Sequence, residues 1–102
     1  MKDKLVIIDG VRTPFCKFGT DLASLAADEL GRVAVTALLT KTGIDPAVID
    51  EVIFGCVSQP AESMNIARVI ALRAGIPQHV PAMTVHRNCA SGLESLTSAY
   101  ER

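Results

Sequence analysis

Cys89 is the residue of this 102-residue sequence best placed to do chemistry. It stands in Asn88-Cys89-Ala90-Ser91-Gly92, after an apolar run, Ala82-Met83-Thr84-Val85, that reads as a strand, and before a helical pattern carrying Leu93, Leu96 and Tyr100. A sharp turn from strand to helix can present a nucleophile above a sheet. Peptide dipoles at a helix start favour a negatively charged sulfur, and the thiolate is the attacking species. Ala90, Ser91 and Gly92 are small, so backbone N–H groups there can approach a developing oxyanion, and Gly92 leaves room for a substrate or a neighbouring helix. The competing reading is structural, because free cysteines most often serve as small buried apolar groups. Position alone leaves both open.

A nucleophilic cysteine needs a base, usually histidine. His86 lies three residues before Cys89, where strict strand alternation would turn it to the opposite face. His79 lies in the proline-flanked loop Pro77-Gln78-His79-Val80-Pro81 and reads as a solvated loop residue. A base for Cys89 is therefore expected from beyond residue 102. Cys16, in a loop, and Cys56, just past a strand, read as structural. Asp50-Glu51 reads as a solvated strand start rather than an acid/base pair. Arg68 and Arg73, five apart on a helix, do not share a face and read as surface charges. No GxGxxG, Walker-type GK[ST] or HExxH pattern is present, and no CxxC or Cys/His cluster suggests zinc.

The elements that must position Cys89 alternate in type. Leu5-Val6-Ile7-Ile8 is a continuous apolar run, as in a strand covered on both faces, ended at Gly10. Arg12-Thr13-Pro14-Phe15 reads as a loop. Asp21 is expected to cap a long helix with Leu22, Leu25, Leu30, Val33, Ala37 and Leu38 along one face, stopped at Thr42-Gly43. Asp45-Pro46 opens a short helical turn. Val52-Ile53-Phe54 is a second strand, ended at Gly55. Ser63 is expected to cap a helix carrying Ile66, Ala67, Val69, Ile70 and Ala74, closed by Gly75-Ile76-Pro77. The run Ala82–Val85 is the third strand. Strand, helix, strand, helix, strand, helix predicts an α/β fold with parallel strands joined by crossovers. Ser98-Ala99-Tyr100-Glu101-Arg102 carries no stop signal. Residues 1–102 are thus expected to be the N-terminal part of a longer protein cut within a helix, with a natural short chain as the alternative.

Composition narrows the function classes. Apolar residues make up 49% of the chain, which excludes a disordered tail. Ten Lys+Arg against 11 Asp+Glu give a net charge of −1, without the basic surplus that a nucleic-acid or anionic-membrane binder needs. The four apolar residues Leu5 to Ile8 are too few for a signal peptide's core, and no stretch approaches a membrane span. Three widely spaced cysteines, an odd number, suggest a reducing compartment, and cytoplasm is the default reading.

Three tracts carry a resemblance. Val11-Arg12-Thr13-Pro14-Phe15, Asn65-Ile66-Ala67-Arg68 and Asn88-Cys89-Ala90-Ser91-Gly92 look like N-terminal signatures of the thiolases, in matching order and spacing over essentially the whole chain. The resemblance implies a thiolase-like αβαβα fold of two similar halves, of which this chain is the first β-α-β-α-β-α portion. It implies that Cys89 is the acyl-accepting nucleophile, with its own backbone N–H in an oxyanion hole. The implied reaction is cleavage of a 3-ketoacyl-CoA by free coenzyme A, or the reverse Claisen condensation. Coenzyme A is then a substrate, and no cofactor or metal is implied. The family's activating His, its second Cys and the Asn/His pair that holds a water belong to later motifs, so this chain alone is expected to be inactive. A homo-oligomer, dimer or tetramer, is implied for the longer protein. His86 departs from the Asn common at that position. The tract Asn65–Arg68, followed by Ala71-Leu72-Arg73-Ala74-Gly75, leans toward the acyltransferases of fatty-acid β-oxidation. Two alternatives stand beside this reading: a ketoacyl-synthase-type condensing enzyme of the same fold, which Val11-Arg12-Thr13-Pro14 disfavours, and a non-catalytic half-fold that serves as an assembly partner or relic.

Overall fold

The computed structural model describes residues 4–102. Its elements run α1 (Ala27–Thr42), β1 (Val52–Gly55), α2 (Ile66–Arg73), β2 (Ala82–Val85) and α3 (Ser91–Tyr100), with 3-10 turns at Pro46–Val48 and Ala61–Ser63. The strands β1 and β2 pair in parallel, Val52 opposite Ala82 through Gly55 opposite Val85, and α2 is the crossover between them. This is the α/β arrangement that the alternation of elements predicts.

The core forms around α2. Ala67 and Ile70 are fully buried, and Ala71 joins Ile76 and Val80 in a cluster covered by Val35, Leu39, Ile49, Val52 and Ala82. Burying these aliphatic side chains is the main favourable term, at about 25 cal/mol per Å² of apolar surface. Local stops behave as the residue types dictate. Gly43 takes the left-handed conformation (φ 68°) and returns its N–H to Leu39 O, ending α1. Asp45 accepts from Ala47 N at 3.0 Å, with Pro46 at the first position of the turn. Ile76 folds back after α2, donating its N–H to Ala71 O at 3.0 Å.

Three expected elements differ. Leu5–Ile8 is not a strand: these residues have no ladder partner among the described residues and are 53 to 76% exposed. Apolar composition supplies the tendency to form a strand, but a strand exists only where a neighbour accepts its hydrogen bonds. The segment instead borders an apolar groove with Leu38, Leu39, Ile44, Ile49, Leu96 and Ala99. Lys41 tethers its end, donating to the Asp9 carboxylate at 2.9 Å, and this bond holds the Asp9 carboxyl below its ordinary range.

The helix α1 begins at Ala27 rather than after Asp21. Residues 17–25 form separate turns closed by Thr20 N to Lys17 O, Ala23 N to Thr20 O and Leu25 N to Leu22 O. Asp28 and Glu29 then occupy the first turn of α1, where the helix dipole favours negative charge. Ser63 does not cap α2. It is buried in the preceding 3-10 turn, and α2 starts after Asn65, which is left-handed at φ 52°.

The two arginines of α2 do face different neighbours, and both have structural work rather than being free surface charges. Arg68 donates to Val80 O at 2.9 Å and Gln78 O at 3.0 Å, holding the loop into β2. Arg73 reaches α1, pairing with Asp28 at 2.7 Å and Glu29 at 2.6 Å. Arg32 and Arg73 both donate to Glu29 and lower its carboxyl to about 2.

Candidate active site

β2 ends at Val85, and the chain turns through residues 86–90 before α3 begins. The turn is built from its own residues. Asn88 is left-handed at φ 47°, a conformation that Asn tolerates better than most side chains. Its N–H donates to His86 Nδ1 at 3.1 Å. The buried Ser91 hydroxyl donates to Asn88 O at 2.7 Å and accepts from Arg87 N at 2.8 Å. Ala90 N donates to Arg87 O at 3.0 Å and Ser91 N to Asn88 O at 3.1 Å. Arg87 also pairs with Glu94 of α3 at 2.8 Å. Thr97's hydroxyl and the Arg87 guanidinium keep the Glu94 carboxyl below its ordinary range.

Cys89 stands in the middle of this turn. It is a free, exposed cysteine, which removes the reading of a small buried apolar group. Its backbone forms an isolated bridge with Arg87, and no hydrogen bond from its N–H stands beside those of Asn88, Ala90 and Ser91. An exposed sulfur and an unengaged donor on the same residue are what acyl chemistry at a cysteine requires.

The start of α3 is pressed against β1 from below. A Cβ on Gly55 would lie 2.3 Å from Ser91 O and 2.8 Å from Gly92 N, so only glycine permits this approach. Cys56 follows and donates its N–H to Val85 O at 3.0 Å, extending the register toward the turn.

No base reaches Cys89 among the described residues. His86 is exposed and is occupied with Asn88, and because β2 stops at Val85 strand alternation does not govern its direction. His79 is exposed in its loop, as its sequence setting suggests. Asp50 is exposed, as expected of a solvated strand start, whereas Glu51 is half-buried and accepts from Arg102 at 3.0 Å. Among the described residues no three His, Cys, Asp or Glu side chains gather as a metal site.

The other two tracts serve different places. Val11, Arg12 and Thr13 line a cavity of about 350 Å³ with Phe54, Gly55 and Cys56, and Arg12 lies over the Phe15 ring at 4.7 Å. Asn65–Arg68 forms the start of α2. There Ile66 N donates to Gln59 Oε1 and Ala67 N to Thr84 Oγ1, each at 3.0 Å, while Thr84 Oγ1 donates to Asn65 Oδ1 at 2.8 Å. Sequence reading missed Gln59, Thr84 and the hydroxyl of Ser91. The last had a local signal, a serine three residues after a turn asparagine. The first two had none, because their partners lie 7 and 17 residues away.

Comparison with known proteins identifies the family. Residues 5–102 match the family described as "Thiolase, N-terminal domain". The chain is similar to the 3-ketoacyl-CoA thiolase of Serratia proteamaculans, at 42% identity over 99 residues, covering 97% of this chain and 23% of the relative. It is similar to the β-ketoadipyl-CoA thiolase of Pseudomonas aeruginosa at 40% identity over 102 residues, covering 98% and 25%. Its fold resembles the crystal structure of the Bacillus anthracis acetyl-CoA acetyltransferase with a TM-score of 0.88 and 36% identity, over 93% of this chain and 24% of that one. The chain thus spans about a quarter of the length of these relatives. A match over 98 residues in sequence, together with the same α/β arrangement in space, places the chain in the thiolase family, as the N-terminal segment of its N-terminal domain.

Proposed function

We propose that this chain is the part of a thiolase that carries the acyl-accepting cysteine, Cys89, and that the protein it belongs to transfers acyl groups between carbon and coenzyme A. The observation that carries this reading is the turn at residues 86–91, which leaves the Cys89 sulfur exposed and its N–H unengaged. The relatives named above, two thiolases and an acetyl-CoA acetyltransferase, support it over a carrier-protein-dependent condensing enzyme.

In the degradative direction the Cys89 thiolate attacks the 3-keto carbon of a 3-ketoacyl-CoA, and the carbonyl oxygen becomes an oxyanion. Collapse breaks the C2–C3 bond. The two-carbon fragment leaves as the enolate of acetyl-CoA and takes a proton from an acid, while the remaining acyl group stays on sulfur as a thioester. A deprotonated CoA sulfur then attacks that thioester, giving the shortened acyl-CoA and regenerating the Cys89 thiolate. The N–H of Cys89 is the donor for the oxygen of the acyl group held on its own sulfur. Two accessible steps replace one difficult one.

The activating histidine and the second cysteine are supplied by residues outside this chain, which alone does not turn over substrate. Coenzyme A enters as substrate and no cofactor takes part. The shared substrate class is a 3-ketoacyl-CoA, and β-oxidation is one setting for it. No helix among the described residues is long and apolar enough to cross a membrane. From the family resemblance we propose a cytoplasmic homo-oligomer.

The test is Cys89→Ala in the intact protein. Thiolysis of acetoacetyl-CoA is expected to fall by at least about 10⁴-fold, with unfolding unchanged because the side chain is exposed. Turnover retained in the variant would remove the assignment.

A further inference from the structure

We infer that Ser91 is a positioning residue for Cys89: its buried hydroxyl clamps the turn on both sides of the cysteine and holds the Cys89 N–H and sulfur in their working directions. The inference rests on the reading of Cys89 as the nucleophile and adds to it. Ser91 occupies the first position of α3, and the residue before it, Ala90, supplies no side-chain cap. A serine at such a place usually meets solvent. This one is only 4% exposed, and its hydroxyl is used in both senses, as donor to Asn88 O and acceptor from Arg87 N.

Those two contacts fall on the two residues immediately before Cys89, while Ser91 itself lies two residues after it. The hydroxyl therefore closes a ring around the cysteine. Asn88 sits within that ring in a left-handed conformation, which persists only where its surroundings over-determine it. The remaining side is tight as well: a Cβ at Gly55 would lie 2.3 Å from Ser91 O, so β1 passes close to the start of α3. Removing the hydroxyl leaves Arg87 N–H without its acceptor and frees the peptide between Arg87 and Asn88. Cys89 is then no longer held in one orientation.

The experiment compares iodoacetamide labelling of Cys89, Cys16 and Cys56 in the intact protein, its Ser91→Ala variant and its Ser91→Thr variant, at neutral pH and read by peptide mass. In the unaltered protein Cys89 is expected to label fastest. In Ser91→Ala that advantage should fall about tenfold, in line with one lost buried hydrogen bond, and Ser91→Thr, which keeps a hydroxyl, should restore it. A merely structural serine would lower stability without moving this ratio. Amide exchange in the unaltered protein is a second readout that needs no variant. Arg87 N–H should be protected, and rapid exchange there overturns the clamp. If Cys89 keeps its advantage in Ser91→Ala, the positioning role is wrong and the nucleophile reading stands. If Cys89 shows no advantage even in the unaltered protein, the nucleophile reading itself fails, and this inference with it.

Discussion

The starts of α2 and α3 use one backbone device for two ends. Each helix follows a left-handed asparagine, Asn65 at φ 52° and Asn88 at φ 47°, and neither has a side-chain cap from its own N-cap residue. At α2 the free donors are taken by groups from elsewhere in the chain, Gln59 Oε1 for Ile66 N and Thr84 Oγ1 for Ala67 N. That start is closed, and Ile66 and Ala67 are buried behind it. At α3 the ties come from nearby residues, 86–91 and Glu94, and one donor, Cys89 N–H, is left over on an exposed cysteine. A helix start that borrows acceptors from distant residues becomes part of the core. One that closes on itself can keep a donor for a substrate.

Gly55→Ala should disturb the open start most. The added Cβ meets backbone atoms of Ser91 and Gly92, which cannot swing away as a side-chain end can. A loss of roughly 3 kcal/mol in urea unfolding is expected, with Cys89 labelling changed in the same variant. Wild-type stability would show that α3 can shift freely, and that the rigidity ascribed to its start is absent.

Thr84→Val attacks the closed start instead. It keeps the shape of the side chain but leaves Ala67 N–H buried without an acceptor and Asn65 without its donor. A cost of about 2 kcal/mol is expected, with faster exchange at the Ala67 amide and no change in the Cys89 labelling rate. A change in labelling as large as that in Gly55→Ala would mean the two starts are coupled, and the distinction between them would fail.

The smallest effect is on the support behind α2. Glu29 is held at about 2 against an ordinary 4.5 by hydrogen bonds from Arg32 and Arg73. A carboxyl depressed in the folded state contributes its stability above the unfolded value, so this contribution is present above about pH 4.5 and is lost as pH falls toward 2. Thermal midpoints should decline over that window, and Glu29→Gln should flatten the decline. An equal slope in both proteins would show that the latch between α1 and α2 adds nothing.

Much of this was legible because the deciding interactions are local. Gly43 stops α1, Asp45-Pro46 opens its turn, and Ala82–Val85 leads into Cys89, each through forces acting within a few residues. The family was indicated differently, by the resemblance of three tracts, at Val11–Phe15, Asn65–Arg68 and Asn88–Gly92, to known signatures. The errors lie where a distant partner decides. Ser63 has the chemistry of a cap, yet α2 starts three residues beyond it, at Ile66, because Gln59 and Thr84 hold its donors. Asp21 is an equally good cap by type, but α1 begins where Asp28 and Glu29 can meet both the helix dipole and Arg73.

By itself the sequence determined the order of strand and helix around Cys89, the stops between them and the small residues that follow the cysteine. Those properties depend on side-chain size, backbone freedom and hydrogen bonds reaching three or four residues. Only the tertiary structure decided which runs pair, since Leu5–Ile8 is the more apolar of the two and yet only Ala82–Val85 has a neighbour in its ladder. It also decided that Cys89 is exposed with its N–H unengaged while Ser91 is buried beneath it. Burial and pairing depend on what lies across the fold, and nothing within a few residues of either position specifies that.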